Sequence, residues 1–253
     1  MKRFYFLCLS ALLLTIIGNT ALWGQTPTTA QAFNSRGVEF FHKGDYDSAI
    51  ADYTQALQLD PNYSIAKDNM VSAYIMRGNA FSSKGDYEMA IADHSKAIEL
   101  KPDSASAYNN RGSAFFKKGD YDQAIVNFNQ ALRIDPNFST AKDNLLSAYY
   151  MRGRAYTDKK DYNRAVADYN QVIQLEPDSV LAYNGRGYMY SKKGDYDLAI
   201  ADHAQALRID PNNEYAKSSL ANAYNSRGSV YANKGDYNRA IADYTQYNTD
   251  QTG

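Results

Sequence analysis

The chain reads as an all-α solenoid built from six stacked helical hairpins, and three observations predict it. An Arg-Gly pair recurs six times with its glycine at 37, 78, 112, 153, 187 and 228, so the steps run 41, 34, 41, 34 and 41 residues. A fixed period of this size marks a repeat architecture whose units bury a continuous core only against their neighbours. Within each copy two amphipathic stretches flank a breaker, the pattern of two helices joined by a tight turn. Small residues such as Gly78 and Ala90 recur where two such helices must approach closely, with Tyr74, Phe81 and Tyr87 filling the space around the crossing.

The first 24 residues stand apart. Lys2 and Arg3 precede the apolar run Phe4 to Ile17; Gly18, Asn19, Thr20 and Ala21 follow, then a polar stretch from Gln25 to Thr29. This is the three-part layout of a secretory signal peptide, with cleavage after Ala21 or Gly24. The alternative is an uncleaved anchor, since Phe4 to Trp23 has the length to span a bilayer. Cys8, the only cysteine, follows Tyr5, Phe6 and Leu7 rather than the small residues of a lipoprotein site, so the processed chain has no thiol, which suits an oxidising compartment. The protein is therefore expected outside the cytoplasm, periplasmic or secreted. Residues 25–31 form a linker.

The hairpins follow at about 32–63, 64–103, 104–138, 139–178, 179–213 and 214–247, with a tail over 248–253. In the second, Ala73 to Lys84 reads as one helix, Gly85 breaks it, Tyr87 to Leu100 makes the next and Pro102 closes the unit; four more copies repeat this layout. Gly44, Gly119, Gly194 and Gly235 take the place of Gly85, where left-handed backbone is favoured. The fourth copy has Lys160 there, a side chain costing about 1 kcal/mol in that conformation, so its hairpin is expected to be the softest. Every second repeat carries seven extra residues, within Ser64 to Gly78, Ser139 to Gly153 and Glu214 to Gly228. Seven residues turn a helix by about 700°, close to two full turns, so these first helices should run continuously and extend about 10 Å further. The added turns bring the apolar pairs Met70 with Val71, Leu145 with Leu146 and Leu220 with Ala221, which either pack on the preceding second helix or form a ridged edge for a partner.

Tyr74, Gly78, Phe81, Ala90, His94, Ala97 and Pro102 fall at the spacing of the tetratricopeptide repeat, and Tyr108, Gly112, Phe115, Ala124, Phe128, Ala131 and Pro136 repeat it. From about Ala32 to Tyr247 the chain resembles tetratricopeptide-repeat proteins of the exported bacterial type. The resemblance implies a right-handed superhelix and a non-enzymatic scaffold that binds a peptide or helical segment of a partner protein in a concave surface lined by the first helices. Carried onto this chain, the family's fifth position is Asn34, Ile75, Asn109, Tyr150, Asn184 and Asn225; its ninth is Val38, Asn79, Ser113, Arg154, Tyr188 and Ser229. Phe41 and Phe116 stand at its twelfth. The expected contact residues are Asn34, Asn79, Asn109, Tyr150, Arg154, Asn184, Tyr188, Asn225, Phe41 and Phe116. A carboxylate clamp would need lysine where Asn34, Asn109 and Asn184 stand. Amides suit a peptide backbone better; the alternative is that these asparagines are only a solvated face. A second functional reading is a structural array that assembles with itself through a poorly capped C-terminal end, where Tyr231, Tyr244 and Tyr247 want cover.

Arginine replaces the family's usual leucine at Arg36, Arg77, Arg111, Arg152, Arg186 and Arg227. Asp52, Asp93, Asp168, Asp202 and Asp243 recur at one position of the second helix, so an Arg to Asp pair is expected between the two helices; only Asn127 breaks the series. His94 and His203 share a slot with Tyr53, Phe128, Tyr169 and Tyr244 and read as core-edge side chains, too far apart to hold a metal with His42. The aspartates of the Gly-Asp-Tyr segments read as helix caps. No phosphate loop or nucleophile motif occurs, so neither catalysis nor a cofactor is expected. Net charge is −1, or −3 once Lys2 and Arg3 are gone (25 basic against 28 acidic), and no basic stripe would attract nucleic acid or an anionic membrane.

Overall fold

The repeated punctuation of the sequence becomes repeated helix ends in space. The computed structural model describes residues 27–252, and among these every regular element is an α-helix. The proposed signal segment and its cleavage site lie outside the described residues. The helices pair as α1 (Ala30–His42) with α2 (Tyr46–Leu59), α3 (Ser64–Lys84) with α4 (Tyr87–Leu100) and α5 (Ala105–Lys118) with α6 (Tyr121–Ile134). The series continues as α7 (Ser139–Asp158) with α8 (Tyr162–Leu175), α9 (Val180–Lys193) with α10 (Tyr196–Ile209) and α11 (Glu214–Asn233) with α12 (Tyr237–Thr252). Each second helix also packs on the first helix of the next hairpin. Except for α7 and α9, first helices of successive hairpins pack closely on one another while second helices do not, so the array curves toward the first-helix side.

The insertions appear as helix. α3, α7 and α11 span 21, 20 and 20 residues where α5 and α9 span 14. Their added turns do not stand out as a ridge, because the apolar residues are covered: Leu145 joins Ala124, Ile125 and Phe128 of α6, and Met70 packs on Ala49, Ile50 and Tyr53 of α2. Val71 is buried with Ala97 and Ala107, and Leu220 and Ala221 are buried as well. The hydrophobic need of each added turn is met inside the solenoid.

Five of the hairpin turns use glycine in the left-handed region, and Lys160 adopts it too at φ 59°. The fourth hairpin thus keeps the geometry of its siblings with a strained side chain. Asp45, Asp120, Asp161 and Asp236 accept from the backbone N–H three residues on and cap α2, α6, α8 and α12. Asp86 and Asp195 make no such bond, so the expected cap is absent from α4 and α10.

The two ends differ. Glu39 is exposed on α1 at the place where the other repeats hold Ala80, Ala114, Ala155, Met189 and Val230, and Ala114 and Met189 are buried. That charge gives the first hairpin the polar outer face a terminal repeat needs. At the other end the helix does not stop at Tyr247: α12 continues to Thr252, so the tail is its last turn. Tyr237 and Ile241 remain exposed there.

Candidate functional site

A ladder of hydrogen-bonded arginines joins the two helices of each hairpin. In five of them the arginine grips its aspartate with two bonds, as where Arg152 Nε and Nη2 donate to Asp168 Oδ2 and Oδ1 at 2.9 and 2.6 Å. Arg36, Arg77, Arg186 and Arg227 do the same with Asp52, Asp93, Asp202 and Asp243. The aspartates are buried, and the bidentate geometry compensates their desolvation. Arg77, Arg152 and Arg227 each reach a second carboxylate on the preceding hairpin, Asp47, Asp122 and Asp197. Each arginine also lies over the tyrosine or phenylalanine three residues before it at 5.4–5.6 Å.

In five hairpins the ring slot of the second helix sits against the repeated glycine of its own first helix. A Cβ built on Gly37, Gly78, Gly112, Gly187 or Gly228 would lie 2.6–2.9 Å from Tyr53, His94, Phe128, His203 or Tyr244. His94 and His203 are therefore fully inside the hairpins rather than at the core edge. Burial drives both imidazoles down to about 4. His203 Nδ1 has Asn184 Oδ1 at 3.2 Å, while both ring nitrogens of His94 lack a hydrogen-bond partner among the described residues.

Tyr169 is the exception that opens the site. Its ring stands back from its own Gly153, whose Cβ would meet it at 3.4 Å, and leans on the next hairpin, where a Cβ on Gly185 would come within 2.7 Å. The equivalent positions are Ser35, Met76, Asn110, Met151 and Ser226, so only α9 has room for this ring. The wedge coincides with the one place where successive first helices pack less closely, between α7 and α9. A cleft of about 410 Å³ opens there on the concave side.

Four tyrosines, Tyr150, Tyr169, Tyr188 and Tyr215, wall the cleft, and Asn184 with Asn213 supplies amides. Tyr150 meets Tyr169 edge to face at 5.9 Å, and Lys192 Nζ lies 4.9 Å over the Tyr188 ring. Burial pushes the phenols of Tyr169 and Tyr215 up, so both remain neutral hydrogen-bonding groups. Arg154 and Asp158 stand at the rim, both exposed, and Arg154 forms no ion pair among the described residues. The cleft thus offers aromatic faces, amides and one unpaired guanidinium, an arrangement that binds rather than reacts.

Four of the ten expected contact residues converge here: Tyr150, Arg154, Asn184 and Tyr188. The others do not join them. Asn34 and Asn109 are buried and accept from Asn69 and Asn144 of the following long helix, both at 2.9 Å. Asn184 likewise donates to Asn213 at 3.2 Å. The expectation that these three asparagines face a peptide freely is therefore corrected: their amides chiefly join neighbouring hairpins. Phe41 and Phe116 fold back against Tyr46 and Tyr121 at 5.5 and 5.4 Å and close the turns. Asn79 and Asn225 are exposed on α3 and α11, apart from the cleft. Sequence reasoning missed Tyr169, Tyr215, Asn213 and Asp158; the one visible signal was Gly185, the only glycine at its place in the repeat.

Comparison with known proteins gives the following. A solved TPR repeats protein from Bacteroides fragilis NCTC 9343 matches with a TM-score of 0.58 at 14% identity, covering 78% of this chain and 98% of that one. A crystal structure of MamA is 27% identical, covers 72% of this chain and 92% of its own, and has a TM-score of 0.42. YrrB, described as a TPR protein with an unusual peptide-binding site, is 24% identical over 79% of this chain and 92% of its own, with a TM-score of 0.43. No curated protein matches. A family model described as TPR repeat matches residues 78–119 and 153–194. Two models described as Tetratricopeptide repeat match residues 30–63, 105–138 and 180–213, and residues 221–248.

Proposed function

The chain belongs to the tetratricopeptide-repeat family, and from that premise we propose that it is a non-enzymatic scaffold that holds an extended or helical segment of a partner protein on its concave face. The observation that carries this reading is the Tyr169 ring, which leans on Gly185 of α9 and walls an aromatic cleft between α7 and α9. Tyrosine faces take apolar side chains or proline rings, their hydroxyls bond a peptide backbone, and Arg154 selects an acidic neighbour. Selection of a random-peptide library on the immobilised protein tests this. Peptides retained should lose about tenfold or more in affinity with Tyr188→Ala, and none with Asn79→Ala. Equal effects from both changes would place the peptide outside the cleft.

The scaffold works outside the cytoplasm, after removal of the segment that begins with Lys2, Arg3 and the run Phe4 to Ile17. Among the described residues no helix is long and apolar enough to cross a membrane. Intact-mass measurement on the exported protein should find a chain beginning after Ala21 or Gly24; a mass that retains Met1 to Ala21 would support the anchored form instead. Glu39 on the front face weighs against a self-assembling array joined front to back, because burying it would strand a charge.

A further inference from the structure

The six equivalent arginines form a charge series with one gap. Arg36 and Arg186 each meet one carboxylate, and Arg77, Arg152 and Arg227 each meet two. Arg111 meets none. Its Nε donates to Asn127 Oδ1 at 2.7 Å and its Nη1 to Ser95 Oγ at 3.1 Å, both neutral acceptors. Its Nη2, the atom that reaches an aspartate at 2.6–2.7 Å in the five sister hairpins, has no acceptor among the described residues. Asn127 cannot supply one, since its own Nδ2 donates to Gln123 O at 2.8 Å.

Beside this guanidinium lies a hollow of about 750 Å³ formed by α5 and α6, to which Tyr108, Asn127, Asn129, Gln130 and Arg133 contribute. No aspartate or glutamate lines it, and Arg133, exposed at its edge, forms no ion pair among the described residues. The hollow shares no residue with the concave cleft. Two cations and three amide side chains therefore surround one open space. A half-buried cation without a counter-charge is costly, and an anion from outside removes that cost as the internal aspartate does elsewhere.

We propose that this hollow is an oxyanion site, taking a carboxylate or phosphate group with Arg111 as its inner cation and Arg133 as its outer one. Burial lowers the pKa of the Arg111 guanidinium, whereas hydrogen bonding to aspartate raises that of the other five, the direction expected of a charge left without its counter-ion. Gln130 can donate to the remaining oxygens, as can the second N–H of Asn129, whose Nδ2 already gives one bond to Ile125 O at 3.0 Å.

The test is thermal unfolding of the whole protein in sodium acetate, sodium phosphate and sodium chloride at matched ionic strength and pH 7.5. The wild-type midpoint should rise by about 2 °C or more in acetate or phosphate over chloride, because a ligand that binds only the folded state stabilises it by mass action. A response to acetate alone identifies a carboxylate ligand, and one to phosphate alone a phosphoryl group. Asn127→Asp, which copies the five sister hairpins, should abolish the anion-specific rise, and Arg133→Ala should reduce it. A wild type that behaves alike in all three salts, or an Asn127→Asp variant that responds as the wild type does, overturns the proposal. Should Asn127→Asp not fold, titrations of wild-type protein with phosphate and with acetate decide the matter: the Arg111 Nε–H resonance must shift saturably in at least one of them, and a resonance unmoved by both counts against the site.

Discussion

Lowering the pH from 7.5 to 5 should cost the folded chain on the order of 4 kcal/mol, through two histidines. His94 and His203 are buried and held down to about 4, from about 6.5 in the unfolded chain. Desolvation is the main cause in both; at His94 the Asp93 carboxylate opposes it and the Arg111 guanidinium adds to it. Because the folded pKa is depressed for a base, the unfolded chain takes up protons first as pH falls. The contribution is intact above about pH 6.5 and is lost progressively down to about pH 4. At pH 5 the difference is about 1.5 units per ring, or about 2 kcal/mol each at about 1.4 kcal/mol per unit. Urea denaturation followed by circular dichroism across this range measures it. His94→Phe, which copies Phe128 at the same slot, should roughly halve the slope; an unchanged slope in that variant would mean the acid sensitivity lies elsewhere.

Arg152→Ala should destabilise by about 3–5 kcal/mol, since it strands the buried carboxylate of Asp168 without either of its charge-assisted bonds. The exposed contact to Asp122 adds little to that figure. Arg111→Ala leaves only a neutral amide behind at Asn127, whose Oδ1 loses one donor, and should cost about 1–3 kcal/mol. Adding Asp168→Ala to Arg152→Ala should recover part of the loss, because the stranded charge is gone. Matching losses at Arg152 and Arg111, measured by the same denaturation, would show that the arginines act through packing on their tyrosines rather than through charge.

The wedge was not legible as the ladder was. Gly153 and Tyr169 look like their counterparts in the other hairpins, and nothing in their own repeat says that the ring will lean on α9. The direction of the ring depends on Gly185, one residue in another hairpin, and on the space left where no Cβ exists. The same holds for Asn34 and Asn109: their position on the first helix is right, but Asn69 and Asn144, 35 residues on, satisfy their amides from the next hairpin.

The sequence by itself determined the number of hairpins, the turns inside them, the continuous long helices and the pairing of five arginines with their aspartates. These features are set within one repeat by local backbone preference and short-range spacing, and repetition makes each of them visible several times over. Tertiary structure alone decided which tyrosines face the concave side, which asparagines are already bonded and which arginine lacks a counter-charge beside an open hollow. Those outcomes arise where two hairpins meet, and there a single missing Cβ or carboxylate changes what the neighbouring repeat can do.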